Sequence, residues 1–174
     1  MTYYTGTIQV RVAIWPHGLV RTGAFLHSHL AITTGAVVVF RRKGTRFHRW
    51  CGRAYLASML TLNISALSIY DLWGHFGPFH AAAIFSLFTV LMGVNAAWRR
   101  KPVRDWKTAH AYWMSWSYVG LLAAAVSESS TRYLNFNFGW SVAIATSVVV
   151  LVGAMVINRR LPLLLGLRVT KPVI

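Results

Sequence analysis

The sequence predicts an all-α integral membrane protein, a bundle of about five transmembrane helices with its N-terminus outside and its C-terminus in the cytoplasm. Three observations predict this fold class. Five long apolar segments lie along the 174 residues, and 56% of the side chains are hydrophobic. Basic residues cluster after the first, third and fifth segments, and Trp and Tyr lie near the segment ends. Basic loops mark the cytoplasmic side of a membrane protein, and aromatic rings favour the level of the lipid head groups.

The basic residues form three clusters that fix the predicted topology. Six lie in Arg41–Arg53, five in Arg99–Lys107 and four in Arg159–Lys171, which makes 15 of the 18 Lys and Arg residues. A formal net charge of +15 is also typical of nucleic-acid-binding domains. We exclude nucleic acid as a partner because the charges lie beside apolar segments and no soluble domain is evident. The expected partner is the anionic head groups of the cytoplasmic leaflet.

The N-terminal residues 1–21 precede the first apolar segment. They lack the basic-then-apolar order of a cleavable signal. Thr7–Ile14 alternates polar and apolar residues in the manner of a short strand, and Trp15-Pro16 follows it. We therefore expect a small outer segment that lies on the bundle, although its second half is also suited to begin the first helix.

Each apolar segment has close to the ~20 residues that a helix needs to cross the hydrocarbon core of a bilayer. Backbone groups in lipid must pair within the segment, which favours helices. Tyr70, Trp73, Tyr133 and Trp140 lie near predicted outer ends, whereas Trp50, Trp98, Trp106 and Trp113 lie near predicted inner ends. The predicted bundle occupies residues 22–158, and residues 159–174 form a basic cytoplasmic tail. The five predicted spans are Thr22–Phe40, Ala54–Trp73, Pro78–Trp98, Thr108–Ser127 and Gly139–Ile157.

Several function classes lack their sequence signatures. The single cysteine, Cys51, falls in a predicted cytoplasmic loop, so an internal disulfide is excluded. The sequence has no glycine-rich phosphate loop, no Gly-x-Ser-x-Gly elbow and no Cys-x-x-Cys-His haem-attachment motif. The chemistry of the chain therefore depends on its few other ionisable residues.

Four histidines alternate between the two ends of the predicted bundle. His29 and His80 belong to the outer ends of the first and third helices, while His48 and His110 belong to the inner ends of the second and fourth. Facing imidazoles on four helices are the ligands of b-type haem in helical bundles, so this alternation predicts an outer and an inner haem. The alternative is that each histidine is an ordinary residue of a loop or a helix end.

The acidic residues allow a different kind of site at the outer end. Asp71 ends the second predicted span, and Glu128 follows the fourth. Together with His29 and His80 they form a possible zinc or iron site, since both metals accept mixed imidazole and carboxylate ligands. A zinc ion with an open coordination position activates water for hydrolysis. Both carboxylates are equally consistent with exposed ends of helices.

Two motifs resemble those of a family of predicted bacterial membrane proteins whose function is unknown. The segment His48–Tyr55 resembles its His-Arg-x-x-Gly-Arg-x-Tyr motif, and His110–Met114 resembles its His-x-x-Trp-Met motif. The resemblance implies a multi-span helical fold, with the bacterial inner membrane as the expected location, and it supplies no activity. The placement of the four histidines is also similar to that of the cytochrome b561 type of di-haem membrane protein.

The leading functional hypothesis is a small membrane redox protein that binds b-type haem through these histidine pairs. Arg46, Arg49 and Arg53 would neutralise the propionates of the inner haem through charge-assisted hydrogen bonds. The expected electron partner is quinone or a larger membrane complex. Two alternatives remain: a cofactor-free accessory subunit of a larger membrane complex, and a metal-dependent membrane hydrolase that acts at the outer face.

Overall fold

The computed structural model describes residues 17–41, 43–68, 77–100, 106–133 and 137–164. Every element in these ranges is an α-helix, which confirms the all-α class for the described part of the chain. The strand-like segment Thr7–Ile14 lies outside the described residues. The helices are α1 (His17–Phe40), α2 (Arg46–Ser68), α3 (Pro78–Arg99), α4 (Trp106–Tyr133) and α5 (Phe138–Leu164).

The helix ends differ from the predicted spans because charge marks where lipid ends and not where a helix ends. α2 begins at Arg46, well before the predicted start at Ala54. Thr45 precedes it, and the Thr45 hydroxyl accepts a 3.1 Å hydrogen bond from the backbone N–H of His48. A threonine in this place satisfies a backbone donor that a helix start leaves open. The segment expected to be an interfacial loop is therefore the first two turns of α2.

The start of α1 and the end of α5 also differ from the predicted boundaries. α1 begins at His17, inside the predicted outer segment 1–21. α5 continues past Ile157 through the first residues of the predicted tail and ends at Leu164. A helix satisfies its own backbone hydrogen bonds in water as well as in lipid, so basic side chains do not stop it.

The first four helices form a closed bundle. α1 packs on α2, α2 on α3 and α3 on α4, and α1 also contacts α4. In this arrangement α1 lies diagonally opposite α3, and α2 lies diagonally opposite α4. α5 packs mainly against α4, and its Phe138 ring also contacts the Phe79 ring of α3, with centroids 6.0 Å apart. The predicted histidine pairs are thus placed on diagonal helices of one four-helix bundle.

The core of the bundle contains both apolar and polar side chains. Tyr55 and Met59 of α2 pack with Val90 of α3 and with Ala31, Met114 and Leu121. The hydroxyl groups of Tyr55 and Ser117 form a 2.9 Å hydrogen bond across the bundle from α2 to α4. Ser117 also donates to the carbonyl oxygen of Met114 at 2.9 Å. Because an unpaired polar group in an apolar interior is costly, this chain of hydrogen bonds is part of what holds the bundle together.

The outer surface is rich in exposed apolar side chains, as a lipid-facing surface requires. Within the described part of the chain, the segments Phe79–Arg99 of α3 and Phe138–Pro162 of α5 are long and apolar enough to cross a membrane. The apolar part of α1, Leu26–Phe40, is shorter. Among the exposed apolar side chains are Phe85, Leu91, Ile144, Val148, Leu151 and Met155.

Candidate functional site

The candidate site lies at the end of the bundle where α2 and α4 begin and α1, α3 and α5 end. We call it the basic end, because the described residues of all three basic clusters lie there. His48 lies in the first turn of α2, and His110 lies in the second turn of α4. Both sequence motifs therefore begin at this end of the molecule.

The His110 ring is oriented by the backbone of α3. Its Nδ1 atom lies 2.8 Å from the carbonyl oxygen of Gly93. A carbonyl oxygen only accepts hydrogen bonds, so Nδ1 carries the proton, and Nε2 of the neutral ring carries the lone pair. Histidines that bind metals are commonly held in this way, by a hydrogen bond from the other ring nitrogen that fixes the tautomer.

Gly93 is what allows α4 to approach α3 at this point. A Cβ atom on Gly93 would lie 2.6 Å from Sδ and 2.9 Å from Cγ of Met114. Met114 follows His110 by one helical turn and therefore faces the same side of α4. Between them, Trp113 packs edge-on against Phe88 of α3, with ring centroids 5.6 Å apart. The His-x-x-Trp-Met motif is thus the contact surface of α4 for α3.

His48 lies close enough to His110 for the two rings to interact electrostatically. Its Nδ1 atom is buried and has no hydrogen-bond partner among the described residues. The pKa of His48 is below its ordinary value because the ring is partly buried, and because a protonated His110 and Lys43 would each repel a positive charge on it. The neutral imidazole that results is the form that binds metals. The structure therefore places His48 and His110 at the same end of the bundle, on the diagonal helices α2 and α4, and their role as a ligand pair stays a prediction.

The first motif divides between two sides of α2. At about 100° per residue, Tyr55 lies within about 20° of His48, whereas Arg49 and Arg53 lie roughly 100–140° away. Tyr55 is buried in the core, while the two arginines are exposed. They line a groove with Arg46 and Trp50. Their predicted role with haem propionates stays a prediction, and the structure places them on a different side of the helix from His48.

The two predicted outer histidines, His80 and His29, have surroundings that differ from those of the inner pair. His80 is 3% exposed, and its Nδ1 accepts a 3.2 Å hydrogen bond from the backbone N–H of Gly77, just before α3. The neutral His80 ring then carries its proton on Nε2, which is the reverse of His110. His29 is exposed and lies midway along α1, because that helix begins at His17; its predicted place at the outer end, level with His80, is therefore wrong. The clearest local role of His80 is therefore to cap α3.

The predicted outer metal site is only partly described. Glu128 is exposed near the end of α4, and Asp71 lies outside the described residues. Within the described ranges, no three His, Cys, Asp or Glu side chains are grouped so that they could hold a metal ion. His29, His80 and Glu128 therefore do not form such a group without Asp71, and the site stays a prediction.

Sequence reasoning missed the residues that support the inner pair. Gly93 orients His110, and Ser117 binds Tyr55, but neither belongs to a motif. Tyr55 and Met114 are motif residues, so the motifs themselves were a signal that both side chains matter. Their partners on other helices carried no such signal, since a glycine or serine in an apolar segment is most often a packing residue.

Comparison with known proteins identifies a family. A family model described as "Predicted membrane protein (DUF2306)" matches residues 24–165, which include α1 from Ala24 onward and all of α2 to α5. No curated protein and no solved structure matches the chain.

Proposed function

Because the chain belongs to this family of predicted membrane proteins of unknown function, we propose an activity from its own residues: it is a small membrane redox protein that binds b-type haem at the basic end. The ligands are His48 of α2 and His110 of α4. The haem supplies reversible one-electron chemistry, and the protein supplies two imidazoles on diagonal helices.

The single observation that carries this proposal is the orientation of His110. The hydrogen bond from Nδ1 to the Gly93 oxygen leaves Nε2 as a lone-pair donor, and it joins that donor rigidly to the α3 backbone. His48 adds a buried ring nitrogen without a hydrogen-bond partner among the described residues. A buried, unpaired nitrogen is costly unless something occupies its lone pair or accepts its proton, and coordination to iron meets that need.

The proposal is for one haem and not for two. His80 uses Nδ1 to accept the hydrogen bond from Gly77, which leaves a proton on the nitrogen that would face iron. An outer haem between His29 and His80 would require the loss of this cap. With one haem near one face, electrons pass to or from a partner at that face, such as quinone or a larger membrane complex, instead of crossing between two haem layers.

The test is the absorption spectrum of protein purified in mild detergent from cells supplied with a haem precursor. We expect a Soret band and about one haem per chain, and we expect His48→Ala and His110→Ala each to lose most of it. His29→Ala is the matched control, because this exposed histidine lies midway along α1, away from the first turns of α2 and α4. A colourless wild-type protein that also fails to take up added haemin would end the proposal.

A cofactor-free accessory subunit is the second candidate, and one observation favours it. Met114 occupies the space beside Gly93, and the His110–Gly93 hydrogen bond joins α3 to α4 directly. The second motif is then explained by helix packing alone. In this case His110→Ala would lower thermal stability in detergent while the protein remained free of haem and iron. Zinc in elemental analysis, lost in Glu128→Ala, would instead support the outer-face hydrolase.

A further inference from the structure

A groove of about 180 Å³ runs along the exposed side of α2 at the basic end. We call it the arginine groove, because it is lined by Arg46, Arg49, Arg53 and Trp50. These residues follow the i, i+3, i+4, i+7 spacing that places side chains on one face of a helix. One water occupies about 30 Å³ of liquid, so the groove is large enough for a phosphate group.

The groove concentrates positive charge without a described counter-charge. All three arginines are exposed, and the only acidic residue among those described is Glu128, near the far end of α4. The Arg53 guanidinium lies over the Trp50 ring, 5.5 Å from its centroid. This contact holds one guanidinium in the groove, because the face of an indole ring attracts a cation.

We propose that the arginine groove binds the phosphate of an anionic phospholipid. The guanidinium of arginine is planar, and its N–H donors match two oxygens of a phosphate. Three guanidinium groups on successive turns of α2 therefore favour a tightly held phosphate over a mobile counter-ion. Trp50 is 69% exposed beside them, and tryptophan in membrane proteins favours the head-group level. The lipid surface is thus the phosphate source that lies next to the groove.

This site goes beyond the general attraction of basic loops to a negative membrane. General attraction depends on charge alone, about 1 kcal/mol for each Lys or Arg near the surface. Binding in the groove depends on the shape of the guanidinium as well, so arginine and lysine are not equivalent there. The site is also independent of haem, because the arginines lie on a different side of α2 from His48.

The test replaces arginine with lysine and so leaves the net charge unchanged. Detergent-solubilised full-length protein is titrated with dioleoyl phosphatidylglycerol, and bound lipid is counted by native mass spectrometry. We expect one tightly bound phosphatidylglycerol, and affinity about tenfold weaker in the triple variant Arg46→Lys, Arg49→Lys, Arg53→Lys. The single variant Arg49→Lys, expected to shift affinity in the same direction, covers the case in which the triple variant does not fold.

The matched control is the triple variant Arg99→Lys, Arg159→Lys, Arg160→Lys, which alters exposed arginines of α3 and α5 at the same end of the bundle. It should bind phosphatidylglycerol as the wild type does. Equal weakening in both triple variants, or in neither, would overturn the proposal. A further arm adds sodium phosphate without lipid: competition by inorganic phosphate at concentrations similar to those of the lipid would assign the groove to a soluble phosphate compound and overturn the lipid assignment.

Discussion

Gly93 controls how closely α3 and α4 approach at the basic end. Its backbone oxygen binds His110, and the space where a Cβ would lie is filled by Met114. One glycine therefore sets both the position of a candidate ligand and the local packing. Gly120 of α4 differs from it, since a Cβ there would have no atom within 4 Å.

Substitution Gly93→Ala should force Met114 to move or α4 to shift, at a cost of about 1–3 kcal/mol in the free energy of unfolding. We also expect a weaker His110–Gly93 hydrogen bond. Thermal unfolding in detergent measures the first effect, with Gly120→Ala as the control that should change stability little. Equal stability of the two alanine variants would contradict this account of the α3–α4 contact.

Tyr55 links the first motif to the bundle core. It is 1% exposed, and its hydroxyl binds Ser117 on the diagonal helix. Its ring also packs edge-on with Tyr118 of α4, at 6.5 Å between centroids. Tyr55 follows His48 by seven residues, which is about two helical turns. The two side chains therefore lie on the same side of α2.

Substitution Tyr55→Phe removes the hydroxyl and keeps the ring. Hydrogen bonds between helices in membranes contribute about 0.6–2 kcal/mol, so we expect a loss of stability in that range. A double-mutant cycle with Ser117→Ala isolates the pair, because Ser117 also binds the Met114 carbonyl. If the two single losses simply add in the double variant, the two hydroxyl groups do not interact.

At the scale of elements, the helical geometry of α2 places the residues of one motif on two different faces of the helix. The early start at Arg46 places His48 and Tyr55 toward the bundle and the three arginines in the exposed groove. α5 has a simpler arrangement. It packs mainly against α4, and the 2.8 Å hydrogen bond between Ser127 and Thr146 joins these two helices.

Gly153 is the residue that lets α5 lie close to α4. A Cβ atom there would lie 2.6 Å from both methyl groups of Val119. Val119 cannot rotate away from it, because a valine in a helix has one strongly preferred rotamer. Substitution Gly153→Ala should therefore weaken the packing of α5 on α4 and lower the free energy of unfolding by about 1–3 kcal/mol. A disulfide introduced between α4 and α5 would form more slowly in this variant. Gly139→Ala, with its nearest atom at 3.5 Å, is the control.

At the scale of the whole molecule, the two ends of the bundle differ in charge. The described members of the three basic clusters lie at one end, and the described acidic residue, Glu128, lies near the other. Since basic segments near membrane helices stay in the cytoplasm, the charge distribution predicts the orientation of the protein in the bilayer.

The single cysteine provides a direct test of this orientation. Cys51 lies in α2 at the basic end and is partly exposed. A membrane-impermeant maleimide should label it only after the cells are permeabilised. In the variant Cys51→Ser with Glu128→Cys, the new thiol near the other end of α4 should react in intact cells. Labelling of wild-type Cys51 in intact cells would contradict the predicted orientation.

The sequence by itself determined the helical class, the approximate position of each helix and the two motifs that begin at the basic end. It could do so because apolar segments and basic clusters are local properties of the chain. Its boundaries were less accurate, as α2 shows, because the hydrogen bonds that start a helix at Thr45 do not depend on hydrophobicity.

Only the tertiary structure decided which groups meet. Three hydrogen bonds show this, because each depends on where two atoms lie relative to one another. They join His110 to Gly93, Tyr55 to Ser117, and His80 to Gly77 at the start of α3. The separation of Arg49 from His48 likewise followed only once that segment was known to be helical. Motifs reveal that a side chain matters, whereas its partner is fixed by the packing of helices that are distant in sequence.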